Sequence, residues 1–260
     1  MTQHPATLQQ SGVLDHAVEV AAPARIAVSV VVPTFREADG VTALLDRVDG
    51  VRQSHDIALE LILMDDPSGD GITEHVAESG HDWARVVSRT GPRGLSAAVL
   101  DGFGEAIGDT IVVMDADLSH PPESIPDMLT KLDLGAQMVV GSRYVQGGST
   151  DDGWGFFRWL NSAVATVLAR PLTKLRDPMS GFFAVRRADV VSGHGYDPIG
   201  YKIALEVIVK CAFKRVEEVP IRFGLRHAGE SKLTLVEQFK YIEHLRRLYA
   251  FRFFGVGRSS

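Results

Sequence analysis

The 260-residue chain has a single cysteine, Cys211, which excludes an internal disulfide and fits a reducing, cytoplasmic setting. No stretch reaches the roughly 18 uninterrupted apolar residues of a membrane-spanning helix. The N-terminal residues lack a basic region followed by an apolar run, so no secretory signal is expected. After the first expected strand there is neither the Gly-x-Gly-x-x-Gly turn of dinucleotide-binding folds nor the Gly-x-x-x-x-Gly-Lys loop of P-loop NTPases, so hydride transfer and ATP hydrolysis lose their main support. No helix-turn-helix, zinc-finger or RNP pattern is present, and nucleic acid is not an expected partner.

What is there is ordinary in bulk and uneven in detail. The apolar share of 45% and charged share of 23% are those of a globular protein able to bury a full core. The net charge of −6 divides into an acidic body and a basic end, because residues 201–260 alone carry an excess of Lys and Arg. A basic terminal fifth on an acidic protein points to an anionic partner near that end, either a phosphate-bearing substrate or an anionic membrane surface.

Short β-branched runs alternate with helical periods. Strands are expected at Ile26–Val32, Ala58–Met64, Arg85–Ser88, Ile111–Met114 and Ala136–Val140, each followed by turn residues and an amphipathic stretch. This alternation predicts an α/β fold with a largely parallel sheet. Residues 1–24 read as a flexible arm, residues 25–232 as the α/β domain, and residues 233–260 as a basic amphipathic helix. In that last helix Leu235, Phe239, Ile242, Leu245 and Tyr249 fall on one side, with Arg246, Arg247, Arg252 and three phenylalanines toward its end. The pattern suits either contact with a membrane interface or packing against the sheet.

Charged residues recur where strands end: Glu37, Asp66, Asp115, Asp117 and Arg143. Ligands of open α/β sheets sit beyond the carboxyl ends of the strands. Asp115-Ala116-Asp117 places two carboxylates one residue apart there, a pair that needs a cation or else repels itself. A turn capping the strand is the plainer reading of such a pair, as it is for Asp66 and Asp70. Arg93, in the Gly91–Ser96 turn before a helix, is placed to meet an anion together with free backbone N–H groups. Glu206 stands among apolar neighbours, which requires that it be paired or functional.

Six motifs occur in order: Val31-Val32-Pro33-Thr34-Phe35-Arg36-Glu37, Met64-Asp65-Asp66, Asp115-Ala116-Asp117-Leu118-Ser119-His120-Pro121, Gly141-Ser142-Arg143-Tyr144, Ser180-Gly181-Phe182, and Arg226-x-x-Gly229-x-Ser231-Lys232. Together, over roughly residues 26–250, they resemble the dolichol-phosphate (polyprenol-phosphate) mannosyltransferases, inverting glycosyltransferases of family 2 with the GT-A fold. The resemblance implies a mostly parallel central sheet flanked by helices, a nucleoside-diphosphate sugar donor (GDP-mannose), a polyprenyl- or dolichyl-phosphate acceptor and Mg²⁺ or Mn²⁺. It implies a nucleoside pocket lined by Pro33, Phe35, Glu37, Met64 and Asp66, with Asp115, Ala116 and Asp117 at the metal–diphosphate end and Ser119 as a further metal ligand. Arg226 and Lys232 would clamp the donor, and Arg143, Arg158 and Ser162 would receive the acceptor phosphate. Ser119 stands where many relatives carry glutamine, and Ser96 where glycine is common.

A lipid monophosphate is anionic near neutral pH and attacks without a general base. The expectation is therefore transfer of mannose with no essential base, at the cytoplasmic face of a membrane touched peripherally. Transfer of glucose, N-acetylglucosamine or a modified arabinose to the same acceptor stays open, as does transfer to a saccharide hydroxyl. The last would need a base, for which Asp177 and Glu206 are the candidates.

Overall fold

The computed structural model describes residues 26–150, 156–191, 195–224 and 235–255. The arm, the loop carrying Arg226 and Lys232, the side chains of Phe156, Phe157, Arg158 and Trp159, and the last five residues lie outside the described residues.

Seven strands form the central sheet in the order β3-β2-β1-β4-β7-β5-β8. They are β1 (Val28–Thr34), β2 (Leu59–Asp65), β3 (Ala84–Ser88), β4 (Thr110–Val113), β5 (Met138–Ser142), β7 (Phe183–Arg186) and β8 (Val216–Pro220). All neighbours are parallel except β7, which runs antiparallel between β4 and β5. A two-residue strand β6 (Ser149–Thr150) pairs separately with β9 (Arg222–Phe223). The sheet is thus largely parallel, as the alternation of strands and helices predicts.

The strands are apolar on both faces because both are covered. Val30, Val32, Leu61, Leu63, Val112 and Met114 pack toward α1 (Ala38–Ser54), α2 (Ile72–Glu78) and α4 (Ile125–Asp133). Their neighbours in sequence, Val31, Ile62, Met64, Ile111 and Val113, pack toward α3 (Leu95–Glu105) and α7 (Ile203–Lys210). Successive residues of a strand alternate between faces, so one run of valines and leucines feeds two cores.

A third core joins α5 (Phe156–Ala169), α7 and α8 (Leu235–Phe254), built on Ala169, Leu205, Val209, Leu245, Leu248 and Phe251; a short helix, α6 (Arg187–Val190), follows β7. Only part of the apolar face expected for α8 packs: Leu245 and Tyr249 join this core. Leu245 is buried, but Phe239 and Ile242 are 71% and 55% exposed. The packed face carries Tyr241, His244, Leu245, Leu248 and Phe251, a stripe one step round the helix that includes a buried histidine. Hydrophobicity alone missed the rest of it because His244 is held by a charge on α7, described below.

Candidate active site

The carboxyl ends of β1, β2, β4 and β5 lie on one edge of the sheet, and the sequence between them places charge there. Asp115 and Asp117 leave β4, and Met114 still donates its N–H to Val31 O of β1. The turn is tight: Asp117 Oδ1 accepts the Ser119 N–H at 3.0 Å, and Leu118 takes a left-handed φ of 60°. His120 closes it. The Asp115 N–H donates to His120 Nδ1 at 3.0 Å, which fixes that nitrogen as an acceptor and the ring as neutral. Burial pushes the His120 pKa below its ordinary value, against the pull of Asp115 and Asp117. The ring stacks on Phe182 at 5.3 Å, so the backbone of Asp115 is set by a packed imidazole. The Asp115 side chain remains 27% exposed, and Ala116 between the acids is buried. Ser119 is fully buried, and its Oγ has no hydrogen-bond partner among the described residues.

The aspartates after β2 divide their work. Asp65 accepts from Thr34 Oγ1 at 3.2 Å, and burial raises its pKa. Asp66 is buried and ion-paired to Arg89, at the end of β3, while its other oxygen accepts the Gly94 N–H at 2.9 Å. The anion facing the start of α3 is therefore Asp66 itself. Arg89 also binds Asp101 at 2.8 Å and Pro92 O at 3.2 Å, tying the 89–94 turn to β2. Arg93 Cζ lies over the Phe35 ring, 3.4 Å from its centre. Asp70 accepts the Ala38 N–H at 3.1 Å, so it closes the start of α1. Pro33 and Glu37 are half-buried near these groups, whereas the Met64 side chain is in the core beneath α3.

β5 delivers Arg143. Gly141 is required there, since a Cβ at that position would come within 2.6 Å of Phe182. The Arg143 guanidinium meets fully buried Asp177 through two bonds of 2.7 Å, and the Arg143 N–H adds a third to the same carboxylate at 3.0 Å. Burial works against its charge, but Asp177 more than offsets this and raises the Arg143 pKa. Asp177 is itself placed by Glu218 of β8, which accepts its N–H at 3.0 Å. Ser162 of α5 is linked to this group through Tyr144, whose OH donates to its Oγ at 3.0 Å and whose ring centre is 5.3 Å from Arg143 Cζ.

Of the two residues considered as bases, neither is available. Asp177 has no exposed surface and is consumed by Arg143. Glu206 is buried on α7, where Oε2 meets His244 Nε2 at 2.6 Å and Oε1 accepts the Asp197 N–H at 2.9 Å. It fastens α8 to the body. Arg89, His120 and the clamping role of Asp177 escaped the sequence reading; for Arg89 its place directly after a strand was the available signal.

Among the described residues no group of three His, Cys, Asp or Glu side chains is arranged to hold a metal. Asp115 and Asp117 nevertheless fit a hard divalent ion whose other positions are filled by diphosphate and water oxygens.

Residues 29–192 match the family described as Glycosyl transferase family 2, and the chain belongs to that family. Within it, the chain is 43% identical over 226 residues to the dolichol-phosphate mannosyltransferase of Pyrococcus furiosus, covering 85% of this chain and 63% of that protein's length. It is 43% identical to the Mycosarcoma maydis protein of the same name, over 86% of this chain and 80% of the relative. Identity to the polyprenol monophosphomannose synthase of Mycolicibacterium smegmatis is 33%, over 79% and 80% of the two chains. In fold it is similar to glucosyl-3-phosphoglycerate synthase from Mycobacterium tuberculosis, solved with Mn²⁺, UDP and phosphoglyceric acid, with a TM-score of 0.63 at 22% identity over 87% of this chain and 78% of that one.

Proposed function

We propose that the chain transfers mannose from GDP-mannose to a polyprenyl or dolichyl phosphate, inverting the anomeric centre and giving a lipid-phosphate mannose. The names and identity of the relatives support the sugar and the acceptor. The observation that carries the reading is the pairing of Arg143 with buried Asp177, while Glu206 is equally locked to His244. The chain offers a fixed cation and no free base at these positions. An acceptor hydroxyl would need a proton removed; a phosphate arrives as a ready nucleophile and needs charge and position.

Asp115 and Asp117 are assigned to the metal–diphosphate end of the donor, with Ser119 kept in the set by its unpartnered, buried Oγ. A bound Mg²⁺ or Mn²⁺ supplies Lewis-acid stabilisation of the leaving diphosphate. His120 holds the Asp115 backbone in place. Phe35, Pro33, Glu37 and the Asp66–Arg89 pair form the nucleoside side, with Met64 supporting it from the core. Arg143, with Ser162 and Arg158 of α5, receives the acceptor phosphate; Arg226 and Lys232 are assigned to the donor diphosphate.

A lipid acceptor calls for an apolar face near the site. No helix among the described residues is long and apolar enough to cross a membrane. α5 and α8, however, are joined by bonds from Tyr241 OH to Ala165 O (2.7 Å) and Tyr249 OH to Leu168 O (2.6 Å), and both leave apolar side chains outward. Val164, Val167, Ile242, Phe253 and Phe254 are each more than half exposed. We assign this face to peripheral contact with the cytoplasmic leaflet.

Incubation with radiolabelled GDP-mannose, Mg²⁺ and polyprenyl phosphate should move label into the organic phase, and EDTA should stop it. Label appearing instead on a soluble saccharide would refute the acceptor, and transfer from another nucleotide sugar in preference to GDP-mannose would refute the donor.

A further inference from the structure

Lys202, the residue preceding α7, has no part in the roles assigned so far. It is half-buried, and among the described residues its ammonium makes one long hydrogen bond, to Met179 O at 3.5 Å, and no ion pair. The Tyr201 ring centre is 4.2 Å from Nζ. An ammonium has three donors, so two are unspent. The charges that act on it are those of Arg143, Asp177 and Asp115 at the substrate edge and of Glu237 on α8.

The backbone around Lys202 is held from several sides. Ser96 Oγ at the start of α3 donates to Gly200 O at 2.8 Å. Met179, which accepts the lysine's bond, is two residues beyond Asp177 in the segment that clamps Arg143. The lysine is thus fixed at its base and unsatisfied at its tip. Carboxylates of Asp177, Asp115 and Glu237 act on this cation from a distance, but among the described residues none pairs with it, and an enclosed cation without a direct partner is costly unless a ligand supplies one. Asp177 does not provide it, since both of its oxygens are taken by Arg143.

We propose that Lys202 is a substrate-binding residue, donating two hydrogen bonds to the phosphate of the lipid acceptor beside Arg143. The proposal rests on the reading above that the acceptor is a lipid phosphate. The acceptor is preferred to the donor diphosphate because the lysine is bonded to Met179 O, two residues beyond the Asp177 that clamps Arg143. Burial and the charge of Arg143 together pull the Lys202 pKa down to about 7, the state of a lysine whose anion has yet to arrive.

The test is calorimetric binding of a short polyprenyl phosphate, citronellyl phosphate, to the full chain and to Lys202→Met and Lys202→Arg, with GDP–Mg²⁺ measured on each. Lys202→Met should weaken citronellyl phosphate by about tenfold or more, the worth of a charged hydrogen bond. GDP affinity should stay within about twofold, and Lys202→Arg should restore most of the loss, which a merely structural role at the start of α7 would not predict. Equal binding by wild type and Lys202→Met would overturn the proposal while leaving the lipid-phosphate acceptor standing. A matching loss of GDP affinity would overturn it too, moving the lysine to the donor. No binding of citronellyl phosphate by the wild type would remove the acceptor reading itself.

Discussion

Asp177 holds Arg143 by three hydrogen bonds, two to the guanidinium at 2.7 Å and one to its backbone N–H at 3.0 Å, and does so with no exposed surface of its own. That relationship separates a clamp from a base. Asp177→Asn keeps the volume and removes the charge, leaving Arg143 buried and unpaired, at a cost of about 3 kcal/mol in urea unfolding. The catalytic loss should fall on kcat/KM for the acceptor with GDP affinity unchanged. A variant of full stability and normal acceptor KM, with the whole loss in kcat, would make Asp177 a base after all.

The corresponding pair on the donor side is Arg89 with Asp66. Arg89→Met strands a buried carboxylate and frees the turn that carries Arg93 and Gly94. GDP binding should weaken by about tenfold, as for a lost charged hydrogen bond, while the acceptor KM stays put. Titration calorimetry with GDP decides it: unaltered affinity would show that Asp66 holds its place without the arginine.

How much of this was legible follows from what each residue's signal depends on. β-branched runs and strand-end charges are local, so the sheet, its five parallel strands and the edge bearing Asp66, Asp115, Asp117 and Arg143 could be read directly. The antiparallel insertion of β7 could not, because Phe183–Arg186 looks like any buried strand and its direction is set by which neighbours accept it. Asp177 and Glu206 were recognised as unusual acids, but their partners lie 34 and 38 residues away, and only the fold brings them together. The buried face of α8 was read only in part, through Leu245 and Tyr249, for the same reason: His244 is polar in sequence and core in space once Glu206 is opposite it.

Glu206 and His244 should therefore matter to folding more than to chemistry. Glu206→Gln retains size but loses the charged bond between α7 and α8, which should lower stability by about 2 kcal/mol. At a temperature where the variant is folded, kcat should remain within about twofold of wild type. A loss of kcat by orders of magnitude in a fully folded variant, judged by circular dichroism and denaturant midpoint together, would restore Glu206 as a candidate base.

The last prediction concerns pH. Lys202 faces Arg143 beyond β5, Asp177 before β7, Asp115 beyond β4 and Glu237 on α8, and its pKa lies near 7 instead of the usual lysine value. Below pH 7 the free protein presents it charged; above, it is progressively neutral and must take up a proton when the anion binds. The acceptor phosphate loses its second proton near pH 6, so its charge no longer changes over the range that matters. kcat/KM for the acceptor should therefore fall as pH rises from about 7 to 9, approaching tenfold per unit where Lys202 is mainly neutral in the free protein. In Lys202→Arg the guanidinium keeps its charge, and the same profile should be flat over that interval. An identical decline in the arginine variant would assign the pH dependence to another group.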